Sequence, residues 1–233
     1  MDTHTGAAGM GPRLLSIGST SLLNAQGPEA DKCRLQLLEV LTWILEHPGR
    51  TVAQMADQLA IAESTSRSYL CHLRHWLGSD PEGKLYLPMA YSGRVRVSPL
   101  VGWDIRDALS LVGRTPSERD DESLVCALEL VRGPVFADIR RGRWRWADPL
   151  RFHVTKLLAE SACEVVRRAR RRDDVRMALW AALKGTMVCP WHKGLQAAFE
   201  RLSLQAGPEP AFDTEEFLNH NWELWNQTSD NTW

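Results

Sequence analysis

Apolar residues recur at helical spacing along most of this chain and give way to strand-like runs only near its start and before its midpoint. Leu14 to Ile17 and Ser21 to Leu23, divided by Gly18-Ser19-Thr20, read as one or two short strands. From Asp31 to His47, Leu35, Leu38, Leu41 and Leu45 fall on one helical face, and Pro48-Gly49 ends the run. Thr51 with Gln54 three residues later is a capping-box pattern. It predicts a second helix with Val52, Met55, Ala56 and Leu59 on one face. A third helix is expected to open at Ser64, to bury Leu70, Leu73 and Leu77, and to close at Gly78. Lys84 to Pro88 and Arg94 to Val97 flank Ser92-Gly93 and predict a β-hairpin. Three helices followed by a hairpin is the order of a winged helix-turn-helix.

Beyond Pro99-Leu100 the pattern is entirely helical. Asp104 to Val112 reads as one helix, and the polar stretch Arg114 to Glu122 is expected to mark a boundary. Leu124, Ala127, Leu128 and Val131 form the next apolar stripe, followed by a loop from Arg132 to Arg145. A long helix with Leu150, Val154, Leu157, Leu158, Ala162 and Val165 facing inwards comes next. Further stripes run through Val175, Ala178, Leu179 and Ala182, then Leu195, Ala198, Phe199 and Leu202. Consecutive amphipathic helices with short breaks stack as antiparallel hairpins, here at loosely tetratricopeptide length without a clean internal repeat. The expected fold class is mainly α: an N-terminal winged helix-turn-helix with a small β-sheet and wing, then a tetratricopeptide-like α-helical domain. The expected limits are a disordered 1–12, a winged helix over 13–99, a helical domain over 101–226 and a tail over 227–233.

A chain of 233 residues, 44% of them hydrophobic, can bury a substantial core. Its 28 basic and 29 acidic residues nearly cancel, so any nucleic-acid footprint has to be local. Five cysteines, an odd number with no CxxC pair, suit free thiols in a reducing cytoplasm. With no leader pattern and no membrane-length apolar run, a cytoplasmic location without a membrane segment is expected. No GxSxG, Walker A, GxGxxG or HExxH pattern occurs, and Asp120-Asp121 lacks a partner motif, so neither enzymatic activity nor a cofactor is expected. Cys189 and His192 form at most half a metal site, and no metal is expected.

On a helical wheel the face opposite Leu70, Leu73 and Leu77 centres on Ser64, Ser68, Cys71 and His75, flanked by Thr65, Arg67, His72 and Arg74. Small polar side chains let such a helix approach the major groove while Arg and His reach bases or phosphates. An acid there would repel phosphate, and none lies between Ser64 and Leu77. The same face also suits a protein-docking module, since any exposed helix is polar. Arg94 and Arg96 share one side of a strand, where they reach phosphate or the minor groove, with Lys84 as an auxiliary cation. They equally suit a hairpin edge guarded against aggregation. Arg140-Arg141-Gly142-Arg143-Trp144-Arg145-Trp146 interleaves cations with indoles, as base-stacking surfaces do. A pinned loop with a wet arginine edge is the better reading. The arginines from Arg167 to Arg172 end a helix and read as a solvated terminus at the negative end of its dipole. Trp222, Trp225 and Trp233 either cover the core or dock a partner.

Three segments carry a family resemblance: CHLRHWLG at Cys71 to Gly78, ALELVRGPVFADI at Ala127 to Ile139, and GRWRWADPLR at Gly142 to Arg151. They resemble the Streptomyces antibiotic regulatory protein type of architecture, in which an OmpR-like winged helix precedes a bacterial transcriptional activator domain of tetratricopeptide-like helices. The resemblance implies double-stranded DNA as a partner of the third helix. It also implies RNA polymerase or a second protomer, as a homodimer, as a partner of the helical domain, and a loop-pinning role for Trp144 and Trp146. The chain departs from that pattern at His75, where a second Arg is common, and at Gly207-Pro208-Glu209-Pro210, which interrupts the last repeat. It also resembles the soluble modules of actinobacterial LysM-containing, envelope-associated proteins. That likeness implies a protein-interaction adaptor whose winged helix no longer binds DNA, a reading favoured by the offsetting Asp31, Glu39, Glu46, Asp57 and Glu63.

Overall fold

In the computed structural model, which describes residues 11–28, 33–90 and 93–206, the chain is mainly helical, with a small three-stranded sheet. The segment up to Met10, Asp31, Ser92, Gly207 to Pro210 and the tryptophans at 222, 225 and 233 lie outside the described residues. Two units are present: residues 11–15 with 21–103, and residues 16–20 with 104–206.

In the first unit β1 (Arg13–Leu15) is the central strand. It pairs antiparallel with β2 (Ser21–Leu23), setting Leu14 opposite Leu22. It pairs parallel with β3 (Gly102–Trp103), setting Leu14 opposite Trp103. Two residues of β3 are too few for any periodicity to register, so that strand was not expected. The helix α1 (Arg34–Glu46) is buried all round from Val40 to Leu45. Its polar members are satisfied inside: the Thr42 hydroxyl donates to the Leu38 carbonyl at 2.7 Å, and Trp43 Nε1 donates to Gln58 Oε1 at 2.9 Å. Both bonds of the capping box open α2 (Val52–Gln58), Gln54 N donating to Thr51 Oγ1 at 3.2 Å and Thr51 N to Gln54 Oε1 at 3.0 Å. The third helix, α3 (Glu63–Leu77), buries Leu70, Leu73, Trp76 and Leu77 and ends at Gly78, whose φ of 77° favours glycine.

The expected hairpin over 84–97 does not form. Tyr86 and Leu87 are adjacent and both buried, which a strand with one solvated face cannot accommodate. Residues 93–95 instead pair with the α1–α2 link: Val95 N donates to Arg50 O at 2.8 Å, Gly49 N to Val95 O at 2.8 Å, and Val52 N to Gly93 O at 3.2 Å. Ser98 N, just past the second expected strand, donates to Tyr86 O at 2.7 Å.

The second unit contains α4 (Asp104–Val112), α5 (Asp121–Glu129), α6 (Asp148–Arg171), α7 (Val175–Val188) and α8 (Lys193–Ala206). Short links leave α6, α7 and α8 packed in succession. Side-chain caps start α5 and α7, Asp120 accepting from Ser123 N at 2.7 Å and Asp174 from Met177 N at 3.0 Å. The polar stretch from Arg114 to Glu122, expected to mark a boundary, lies inside this unit, with Pro116 buried and a short 3-10 turn at Pro116–Glu118. Irregular residues 132–144 bury Val135, Phe136, Ile139 and Trp144, and the Phe136 and Trp144 rings meet edge to face at 5.4 Å.

Residues 16–20 run along that loop. Phe136 N donates to Ser16 O at 2.8 Å, Gly18 N to Pro134 O at 3.0 Å, and Thr20 N to Asp138 Oδ1 at 2.7 Å. Asp104, 1% exposed at the start of α4, accepts the N–H groups of Ser16 and Ile17 at 2.8–2.9 Å and Arg132 Nη2 at 2.8 Å. Burial pushes its carboxyl above the ordinary range, while the Ile17 and Ser16 N–H groups and Arg132 pull it down.

The arginines that end α6 are in part a solvated terminus, Arg167, Arg170, Arg171 and Arg172 being exposed, but Arg168 is half-buried and cross-linked. Arg168 donates to Asp121 at 2.8 Å, to Glu164 at 2.6 Å and to the carbonyls of Ser117 and Arg119 at 2.9 and 2.7 Å. Arg167 binds Glu164 and Arg172 binds Asp121. The hydrogen bond from Arg167 is the first cause holding the Glu164 carboxyl down at about 2, and Arg168 assists.

Two outcomes follow from these contacts. Asp104→Asn turns one acceptor oxygen into a donor facing N–H groups and removes the partner of Arg132, and it is expected to cost about 3 kcal/mol. A urea midpoint equal to that of the parent chain removes this role for Asp104. Glu164 is depressed from 4.5 in the open chain to about 2 in the folded one, so its contribution is complete above pH 4.5 and drains away as pH falls towards 2. The difference in thermal midpoint between the parent chain and Glu164→Gln should shrink over that window; a constant difference contradicts the pairing.

Candidate nucleic-acid interface

The face of α3 opposite its buried stripe is open. Ser64, Arg67, Ser68, Cys71, His72 and His75 are exposed, and Thr65 and Arg74 are half-buried. The hydrophobic spacing that buries Leu70, Leu73 and Leu77 puts these residues outward by geometry alone. Arg94 and Arg96 are exposed as well, on either side of buried Val95, so they share a side as expected although no regular strand carries them.

Their engagements are more specific than the sequence suggests. Because α3 begins at Glu63, one residue earlier than expected, its first turn carries an acid. Glu63 takes Arg67 Nη2 at 2.9 Å across one turn, in solvent on both sides. That i, i+4 pair was readable from the spacing; a helix start placed at Ser64 hid it. Arg74 Nε donates to Leu87 O at 2.8 Å and its Nη2 to Pro88 O at 3.4 Å, so it pins the segment after α3 back onto the helix. Arg94 Nη1 donates to Gly49 O at 3.0 Å. The Arg96 guanidinium packs so close to Gly49 that a Cβ there would come within 2.8 Å of Arg96 Nε. Gly49 also has φ of 81°, and it is this backbone conformation that disfavours larger residues there, since the exposed Arg96 side chain can swing aside. Lys84 is held by Glu82 at 2.7 Å in a turn that also contains Asp80.

Arg67 and Arg74 line one groove of about 500 Å³ with Thr51, Glu63, Cys71 and Met89, reaching Gly93 beside Arg94. The tertiary fold thus gathers the start of α2, the outer face of α3 and Met89, Ala90 and Gly93 around one depression. Its lining mixes two arginines with an acid and apolar atoms.

The remaining candidates lie outside this groove. Trp144 is buried against Phe136, Trp146 is half-buried, and Arg140, Arg141, Arg143 and Arg145 are exposed around them. Cys189 is buried, its thiol pushed up to about 11 by burial and by the neighbouring Cys163. His192 Nδ1 accepts the Leu195 N–H at 3.1 Å and caps α8. Among the described residues no three His, Cys, Asp or Glu side chains gather as metal ligands, and no helix is long and apolar enough to cross a membrane.

No protein-family model matches this chain, and no curated protein matches it either.

Arg74 is expected to serve stability. Arg74→Met leaves two carbonyls without their donor and should cost about 1 kcal/mol, whereas Arg67→Met, which loses only an exposed pair, should move the urea midpoint by less than about half as much. Equal effects for the two variants contradict this division.

Proposed function

We propose that the chain is a DNA-binding transcriptional regulator in which residues 13–99 act as a winged helix on promoter DNA. In this reading residues 101–226 form a tetratricopeptide-like activator domain that contacts RNA polymerase or a second protomer. The observation that carries it is the outer face of α3: small polar side chains at Ser64, Ser68 and Cys71, cations and imidazoles beside them, with Ser64, Ser68, His72 and His75 exposed among the described residues. Small residues bring the helix axis close to base edges. The pairing of 93–95 with 49–52 keeps Arg94 and Arg96 at the α1–α2 link. A guanidinium has five N–H donors, so Arg94, with one nitrogen on Gly49, retains donors for a phosphate.

A second reading, a protein-interaction adaptor that no longer binds DNA, rests on a different observation. Arg67 is neutralised by Glu63, and Arg74 is spent on the backbone of Leu87 and Pro88. The mixed lining of the α3 groove suits a peptide as well as a phosphate backbone.

Mobility shift with random duplex over a salt series separates the two. A regulator binds with an affinity that falls steeply with salt, and replacing both Arg94 and Arg96 by Gln lowers the log–log slope by about 2. Glu63→Gln frees Arg67 and should tighten binding about threefold at low salt. Absence of duplex binding at low ionic strength, or a slope unmoved by the double replacement, removes the DNA reading and leaves the adaptor.

A further inference from the structure

Every Lys and Arg of this chain lies at or before Arg201, while Glu209, Asp213, Glu215, Glu216, Glu223 and Asp230 all follow Ala206. The stretch 207–233 is therefore purely acidic, and the chain before it carries a net positive charge. Within that stretch Leu218, Trp222 and Trp225 recur at i, i+4 and i+7, with Glu216 and Glu223 on the opposite side of the same period. Such a segment has an apolar face to bury and an acidic face to keep in water.

The second unit offers a groove to receive it. A cavity of about 480 Å³ is lined by Phe152, Thr155, Lys156 and Ala159 of α6 and by Cys189 and His192 of the α7–α8 link. Its lining is mainly apolar, and Phe152 stands in it at 71% exposure, an uncovered ring on an otherwise packed helix. Arg141 lies over the Trp191 ring at 5.9 Å, so these two make a standing wall rather than free contacts. The acids of the lining, Asp148 and Glu160, have Arg151 at 3.0 Å and Lys156 at 3.9 Å beside them. The loop that brings Arg141 to the rim also exposes Arg140, Arg143 and Arg145, which suits an acidic occupant.

The chain can reach this groove. Trp191 and His192 line it immediately before α8, and the 14 residues of α8 rise about 21 Å from there to Ala206. The stretch from Gly207 to Phe217 spans up to about 36 Å when extended, and its first residues, Gly207-Pro208-Glu209-Pro210, are turn formers. A reversal there returns the apolar stripe alongside α8 to the rim.

We propose that the groove along α6 is the docking site of the chain's own segment 213–225, with Leu218, Trp222 and Trp225 against Phe152 and the apolar lining and the acids towards the exposed arginines. The groove belongs to the second unit alone, so the docking stands whether or not the first unit binds DNA.

In the full chain Phe152 is replaced by the photoreactive p-benzoylphenylalanine, and the protein is irradiated in dilute solution. Peptide mass spectrometry of the monomer band is expected to find position 152 joined to residues 211–226. No adduct with that segment, or adducts only between two chains, overturns the proposal. A second readout uses an endoprotease that cuts after glutamate, at Glu215, Glu216 and Glu223. Phe152→Asp should speed cutting there at least about fivefold, because cleavage follows the population of the released segment. Trp222→Ser combined with Trp225→Ser should speed cutting after Glu215 and Glu216 by a similar factor. An unchanged rate in either variant overturns docking at this groove. Should Phe152→Asp lose its helical signal in circular dichroism, the cross-link and the tryptophan variant decide.

Discussion

A carboxylate sealed from solvent has to collect donors, and Asp104 collects them from two distant parts of the sequence: the backbone N–H groups of Ser16 and Ile17, and the guanidinium of Arg132. The same short segment, 16–20, needs acceptors and donors of its own, and it finds them in the irregular loop that follows Arg132. Each partner therefore solves the other's problem. Without the carboxylate, two buried N–H groups and a half-exposed arginine lose their acceptor together, and the loop that buries Phe136 and Trp144 loses its edge. The second unit depends on this polar joint more than on any single apolar contact, because its helices pack by a generic stripe while the joint accepts only one arrangement.

Charge is used inwardly elsewhere as well. Arg168 binds two carboxylates and two carbonyls across the gap between α6 and the turn before α5, and Arg74 ties residues 87 and 88 to α3. Part of the basic content of this near-neutral chain is thus tied up in internal cross-links, while other arginines, Arg94 and Arg96 as well as Arg140, Arg143, Arg145, Arg170 and Arg171, stay exposed.

How much of this was legible beforehand depended on range. Thr51 and Gln54 are three residues apart, and their capping box forms as their spacing indicates. Gly78 closes α3 because a left-handed residue is a local requirement, and the stripe Leu70, Leu73 and Leu77 is buried because helical period alone puts it on one side. The outward position of Ser64, Ser68, Cys71 and His75 follows from the same period. The hairpin expected over 84–97 failed for a reason the local pattern does not carry: strands choose partners by burial, and residues 93–95 found theirs at 49–52.

By itself the sequence determined the helices from α2 onward, the cap of α2 and the end of α3, their apolar faces, and the polar surface that α3 turns to solvent, since each follows from interactions within a few residues. Only the tertiary structure decided what the charged side chains do. Arg74 reaches Leu87, Arg94 reaches Gly49, Arg132 reaches Asp104 and Arg168 reaches Asp121, over separations of 13 to 47 residues. A long flexible cation bonds to whichever acceptor the packing of other elements brings within about 3 Å, and no spacing rule along the chain encodes that distance.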